Sequence, residues 1–245
     1  MICRNYAHRG FSGQYPENTM LSFRKAIEAG CEGIELDIQL TRDGEIVIIH
    51  DEKIDRTSDK KGIVKDMTYK ELCEADFSYK YKGRVEFQKI PTLREYFELV
   101  KNEDIITNIE LKTGVYEYEG IEKKVYDLTK EYNLEKKVII SSFNHYSVMR
   151  MKEIAPEIEC GFLTETWIIA PGEYTALHNV EAYHPDFHML TSKEVKDLNA
   201  HNIKINTWTV NNEKDIMRMI KIGVDGIISN HPDVVGKLLK EQGLR

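Results

Sequence analysis

Short runs of alternating or continuous apolar residues recur along the chain, and between them apolar positions return every three or four residues. The first pattern marks strands and the second marks helices that bury one face. Strands are predicted at Tyr6-Ala7-His8, GIELDIQL (33–40) with EIVIIH (45–50) as its return, ITNIELK (106–112) and KVIISSF (137–143). The series continues with IECGFL (158–163), AYHPDF (182–187), KINTWTV (204–210) and VDGIIS (224–229). Helices are predicted over 18–30, 92–101, 119–132, 145–154, 192–201 and 212–223. In the first, Asn18 is the expected N-cap, Met20, Phe23 and Ile27 form the apolar stripe, and Gly30 supplies a left-handed stop.

Eight strand units alternating with helices over 245 residues predict an α/β fold, a (β/α)8 TIM barrel. A doubly wound open sheet shares the local pattern, but the count of units favours the barrel. No Pro/Gly-rich linker divides the chain, so 1–245 reads as one domain. The alternation breaks once, after the second strand, where about 52–90 holds a short helical stretch and no strand-helix unit. A structureless loop of that length is uncommon, so an inserted cap at the barrel mouth is expected. Its aromatics Phe77, Tyr79, Tyr81 and Phe87 either line an entrance or pack the insertion down, and packing is the preferred reading.

Charge narrows the partners. With 34 Lys+Arg against 41 Asp+Glu, a net charge of −7, there is no basic field to collect nucleic acid, and an anionic ligand needs a local cluster. Cys3, Cys31, Cys73 and Cys160 lie far apart without metal-site spacing, which argues against zinc and against a disulfide framework. The chain has no apolar run near 18 residues and no export signal, so a cytoplasmic protein with no membrane span is expected.

In GIELDIQL the period of two puts Glu35, Asp37 and Gln39 on one face and Ile34, Leu36, Ile38 and Leu40 on the other. Such alternation often marks a solvated sheet face, but parallel barrel strands have none, so Glu35 and Asp37 point into the lumen about 7 Å apart at their Cα atoms. Two shielded carboxylates must bind a proton or share a cation. NIELK repeats the pattern with Asn108, Glu110 and Lys112. Three acidic oxygens without cysteine suit a hard divalent ion, Mg²⁺ or Ca²⁺ with Mn²⁺ as a third candidate. A lone His ending an apolar run is usually structural, but His8 and His50 end two strands that flank the carboxylates. Together with Arg9 and Lys112 they make a phosphodiester-cleaving set: the cations hold phosphate, and one imidazole removes a proton while the other donates one. Which histidine does which stays open, as does whether water or a neighbouring substrate hydroxyl attacks.

The motifs AHRG (7–10), PENT (16–19), E-x-D within IELDIQLTRDG (34–44), VIIHD (47–51), DRTS (55–58), IPTLRE (90–95), NIELK (108–112), SSFN (141–144), INTWTVN (205–211) and DGIISNHPD (225–233) occur in that order. In this the chain resembles the glycerophosphodiester phosphodiesterases, (β/α)8 barrels related in layout to phosphatidylinositol-specific phospholipase C. The resemblance implies that His8 and His50 are general acid and base, that Glu35, Asp37 and Glu110 bind the divalent ion, and that Arg9 and Lys112 contact phosphate. It implies a place near the substrate for Trp208, for which a core position is the alternative. Glu17 of PENT is left outside the site, since turn and cap chemistry explain its neighbours. Asn230 stands where the family commonly has an acid and His184 where Asn is usual, and both are expected to act on polar-group selectivity.

The expected function is metal-dependent hydrolysis of glycerophosphodiesters to sn-glycerol 3-phosphate and an alcohol. The partner is then a small-molecule glycerophosphodiester, and a homodimer is compatible with a barrel of this size. A lysophospholipase D on the same site is the alternative, disfavoured because no apolar lip is evident in the sequence. A catalytically inactive binding barrel is a further alternative, against which the intact histidines and carboxylates argue. A sugar-phosphate isomerase or aldolase would want a Gly-rich phosphate loop that WTVNNEKD lacks.

Overall fold

The computed structural model describes residues 3–244. Strands β1 (Arg4–His8), β2 (Gly33–Leu40), β3 (Ile46–Ile48), β4 (Ile106–Leu111), β5 (Val138–Ser142), β6 (Glu159–Thr164), β7 (Ala182–Pro185), β8 (Lys204–Thr207) and β9 (Gly226–Ser229) form one sheet. All but β3 run parallel, and β9 pairs back with β1 to close a (β/α)8 TIM barrel. β3 is the antiparallel return on the far end of β2, with Ile48 opposite Ile38.

The helices around the barrel are α1 (Met20–Glu28), α3 (Leu93–Val100), α4 (Ile121–Glu131), α5 (His145–Ile154), α6 (Pro171–Leu177), α7 (Ser192–Ala200), α8 (Glu213–Ile222) and α9 (Pro232–Glu241), and α2 (Tyr69–Leu72) lies in the insertion. Local chemistry fixes their starts. Thr92 with Glu95 and Thr191 with Glu194 form reciprocal capping boxes that satisfy the first free N–H groups of α3 and α7. α6 and α9 are not predicted from the hydrophobic pattern: α6 is seven residues long, too short to show a period, and both open with proline in the first turn. Asn18 is not the cap of α1. Thr19 caps it through Ser22, while Asn18 takes a left-handed φ of 54° and sends its amide inward to Asp37.

The two faces of β2 separate as the period of two requires. Ile34, Leu36 and Ile38 are wholly buried in the main core beneath Phe23, Tyr96 and Phe97, and Glu35 and Asp37 face the lumen. Tyr6, Ile139 and Ile228 form the apolar lumen floor. The Tyr6 ring lies so close to β2 that a Cβ on Gly33 would sit 2.2 Å from its Cδ1. Above the floor, buried His184 meets the Asn206 amide at 3.0 Å, and burial pushes its pKa down to about 3. A Cβ on Gly161 would stand 2.5 Å from His184 Nε2. His184 is therefore packed inside the lumen between Gly161 and Asn206.

Residues 49–91 leave the barrel after β3 and build a cluster of their own, with Val47, Ile54, Val64, Leu72, Phe77 and Ile90 buried together apart from the main core. Phe77 packs there, whereas Tyr79 and Phe87 are exposed. Tyr81 donates its hydroxyl to the Tyr15 carbonyl at 3.3 Å, tying the insertion to the β1–α1 loop. Gly161→Ala is expected to lower stability by about 1–3 kcal/mol through overpacking against His184, read as a lower urea midpoint, with part of the loss recovered when His184 is also replaced by Ala. An unchanged midpoint in the single variant would contradict this packing.

Candidate active site

Parallel register turns sequence spacing into a site. His8 lies beside Glu35, Glu35 beside Asn108, and Asp37 beside Glu110. Carboxylate oxygens of Glu35, Asp37 and Glu110 all come within 4.8 Å of one another, with each residue buried. Burial first, then the Asp37 charge, pushes Glu35 and Glu110 above the ordinary carboxylate range. Burial also opposes ionisation of Asp37, but Arg9, His50, Lys112 and the Asn18 amide outweigh it and hold its pKa down to about 2.

Arg9 ends β1 with φ 57°, a left-handed conformation that costs a non-glycine residue about 1–3 kcal/mol and clusters at functional sites. Its backbone N–H donates to the Glu35 carbonyl at 2.8 Å and to Glu35 Oε2 at 3.1 Å. Its guanidinium reaches Asp37 Oδ2 at 3.3 Å and Glu17 Oε1 at 3.0 Å. Lys112 Nζ lies 2.8 Å from Glu110 Oε1 and 3.2 Å from His50 Nε2. Burial disfavours the Lys112 charge, yet Glu110 and Asp37 more than offset it and raise its pKa.

Both histidines are anchored at Nδ1. His8 Nδ1 is 2.6 Å from Asn230 Oδ1, and His50 Nδ1 is 2.6 Å from Asp51 Oδ1. An amide or carboxylate oxygen only accepts, so Nδ1 carries the proton in each ring and Nε2 is left for the site. His8 Nε2 stands 3.8 Å from Glu35 Oε2. Burial and then the Arg9 charge push the pKa of His8 down to about 4, against the opposing Asn230 contact. Asn230 is thus the partner of His8.

Sequence reasoning left four more groups outside the set. Gln39 Nε2 reaches the carbonyls of Ile49, His50 and Asp51 at 3.2, 3.1 and 2.8 Å, holding the turn that carries His50. Glu17 and Asp51 are bridged by Arg56, at 2.7 Å and 2.6 Å. The ion pairs therefore run from Arg9 through Glu17, Arg56 and Asp51 to His50. Gln39 shared the lumen face with Glu35, and Arg56 lay within DRTS, so the signals were present without a partner to interpret them.

A narrow cavity is lined by His8, Arg9, Glu35, His50 and Glu110 together with Phe143, Leu163, Trp208 and Ile228. Trp208 lies at its rim, its Nε1 donating to the His184 carbonyl at 2.8 Å. The expected absence of an apolar lip is also corrected: Val115, Phe143, Trp167 and Ile169 stand exposed on the loops after β4, β5 and β6, with Tyr146 at the start of α5.

The carboxylate donors fit a divalent cation. Asp37 Oδ1 is buried without a hydrogen-bond partner, and three carboxylate oxygens without a thiolate are the donor set of a hard ion. Among the described residues no helix is long and apolar enough to cross a membrane.

Residues 8–234 match the model of the glycerophosphoryl diester phosphodiesterase family. The chain is 42% identical over 237 residues to a glycerophosphodiester phosphodiesterase of Caldanaerobacter subterraneus subsp. tengcongensis, covering 97% of this chain and 98% of the relative. A glycerophosphodiester phosphodiesterase of Bacillus altitudinis is likewise 42% identical over 239 residues, covering 96% and 98%. Among solved structures, an Oleispira antarctica phosphodiesterase in complex with the product sn-glycerol-3-phosphate superposes with a TM-score of 0.85 at 27% identity, covering 98% of this chain and 97% of that one. By sequence, fold and the order of its motifs, the chain belongs to the glycerophosphoryl diester phosphodiesterase family.

Proposed function

We propose that the protein hydrolyses glycerophosphodiesters to sn-glycerol 3-phosphate and an alcohol, with a divalent cation held by Glu35, Asp37 and Glu110. The observation that carries this reading is the convergence of three buried carboxylates, two cations and two histidines in one cluster, of which Glu35, Glu110, Arg9 and both histidines line a single cavity. The similarity to a phosphodiesterase solved with sn-glycerol-3-phosphate supports the product. Bound there, the ion would polarise the phosphoryl oxygens and offset charge gathering on them.

The chain's own groups divide the remaining work. Arg9 and Lys112 flank the carboxylates and supply donors for the other phosphate oxygens, so the diester is held as an anion in an acidic lumen. His8 is neutral, with its Nε2 lone pair toward the site, which suits it to take the proton of the attacking hydroxyl. As the new P–O bond forms and the bond to the alcohol breaks, the departing alkoxide needs a proton. His50, anchored on Asp51 at 2.6 Å and lining the same cavity, is the remaining donor. Trp208 and Phe143 supply the apolar wall beside the scissile bond.

Metal-stripped protein incubated with glycerophosphocholine or glycerophosphoethanolamine should release sn-glycerol 3-phosphate once Mg²⁺, Ca²⁺ or Mn²⁺ is restored, measured with a coupled dehydrogenase. No release with any of the three ions would sink the reading. His8→Ala and His50→Ala are each expected to lower kcat by ~10²–10⁴-fold with thermal stability near that of the parent, the range for a lost general acid or base. A loss under threefold in either variant would remove that histidine from proton transfer.

A further inference from the structure

His50 sits on a turn just past the end of β3, and the group that fixes this turn is itself fixed from outside the catalytic cavity. Gln39, buried on β2, turns its amide nitrogen toward the carbonyls of Ile49, His50 and Asp51. A carbonyl only accepts, so Nε2 must face these three and Oε1 must face away from them. There Oε1 accepts the hydroxyl of Tyr118 at 2.8 Å. We propose that Tyr118 is a positioning residue for His50: acting through Gln39, it holds the imidazole where it can protonate the departing alkoxide. The proposal rests on the diesterase reading above and deepens it.

The turn does not fix itself. The anchor of the His50 ring is Asp51, the next residue, so ring and anchor move together when the backbone moves. Arg56 grips Asp51, but its side chain is 42% exposed and it belongs to the same insertion. Gln39 belongs to the barrel and carries the position of β2 into the turn. The terminal torsion of a glutamine is broad, so an amide held only by its nitrogen would rotate among the three carbonyls. A donor on Oε1 removes that freedom.

Tyr118 is itself held for this task. It lies in the loop between β4 and α4 with φ 49°, a left-handed conformation that is costly for a residue with a Cβ and gathers at functional sites. Its ring packs against the main core and meets Tyr116 edge-on at a centroid distance of 6.1 Å, so the hydroxyl is carried on a fixed ring. Burial pushes the phenol above its ordinary range, which keeps it a donor. The same loop begins at Lys112, whose Nζ lies 3.2 Å from His50 Nε2. One loop thus meets His50 directly through Lys112 and indirectly through Tyr118 and Gln39.

Tyr118→Phe removes the hydroxyl and keeps the ring. Two substrates separate a role at His50 from a general loss. Glycerophosphocholine leaves an alkoxide that must be protonated, whereas the p-nitrophenyl ester of sn-glycerol 3-phosphate leaves a stable phenolate that needs no acid. Tyr118→Phe should lower kcat for glycerophosphocholine about 5–20-fold, short of the ~10²-fold that an ångström of misplacement costs, with KM within twofold. On the nitrophenyl ester the loss should stay below twofold, with a thermal midpoint near that of the parent. Added to Gln39→Leu, Tyr118→Phe should cost less than twofold even on glycerophosphocholine, because its effect passes through that amide. His50→Ala is the reference and should show the same contrast between substrates more steeply. Equal losses of Tyr118→Phe on the two substrates, no loss on either, or full additivity with Gln39→Leu would overturn the proposal. A His50→Ala variant without the contrast would overturn the acid assignment and the proposal with it, whereas the contrast in His50→Ala but not in Tyr118→Phe would overturn the proposal alone.

Discussion

Three carboxylates cannot all remain ionised side by side in a closed lumen, and the site is arranged around that constraint. Glu35, Asp37 and Glu110 are delivered by neighbouring parallel strands in matched register, so the barrel itself forces them together. Arg9 and Lys112 hold Asp37 ionised, while burial and mutual repulsion push Glu35 and Glu110 upward. Mutual repulsion and the orphaned Asp37 Oδ1 are relieved at one stroke if a divalent cation binds. The proposed chemistry then follows from the same charges, because an anionic diester enters only where cations already outface the acids.

The two histidines share one anchoring device with two kinds of partner. Both rings hold their proton at Nδ1 and turn Nε2 inward, yet His8 leans on a neutral amide and His50 on a carboxylate. The two rings are thus oriented alike by partners of different charge. The ion pairs through Arg56 and Glu17 join the Asp51 behind His50 to Arg9. The insertion that carries Arg56 is thereby tied to Arg9 beside the carboxylates, and its small core holds that tie in place.

The carboxylate-bearing face was legible because it depends on a local period. Alternation along GIELDIQL and NIELK names Glu35, Asp37, Glu110 and Lys112 before any contact is known, and the strand count predicts the barrel that turns those faces inward. Contacts that depend on convergence were not legible. Asn18 and Thr19 are both good capping residues, and only the proximity of Asp37 decides that Asn18 turns inward. Asn230 lies 222 positions from His8, so nothing local could pair them. α6, at seven residues, is too short to show a period.

The most direct test is Mn²⁺ binding followed by electron paramagnetic resonance, with sn-glycerol 3-phosphate added as the second ligand. One site per chain, lost in Asp37→Asn, with phosphorus coupling to the bound Mn²⁺ when sn-glycerol 3-phosphate is present, is the predicted result. Undiminished binding in Asp37→Asn, or a bound ion without phosphorus coupling, would contradict the claim that the lumen carboxylates place a cation against the substrate's phosphate.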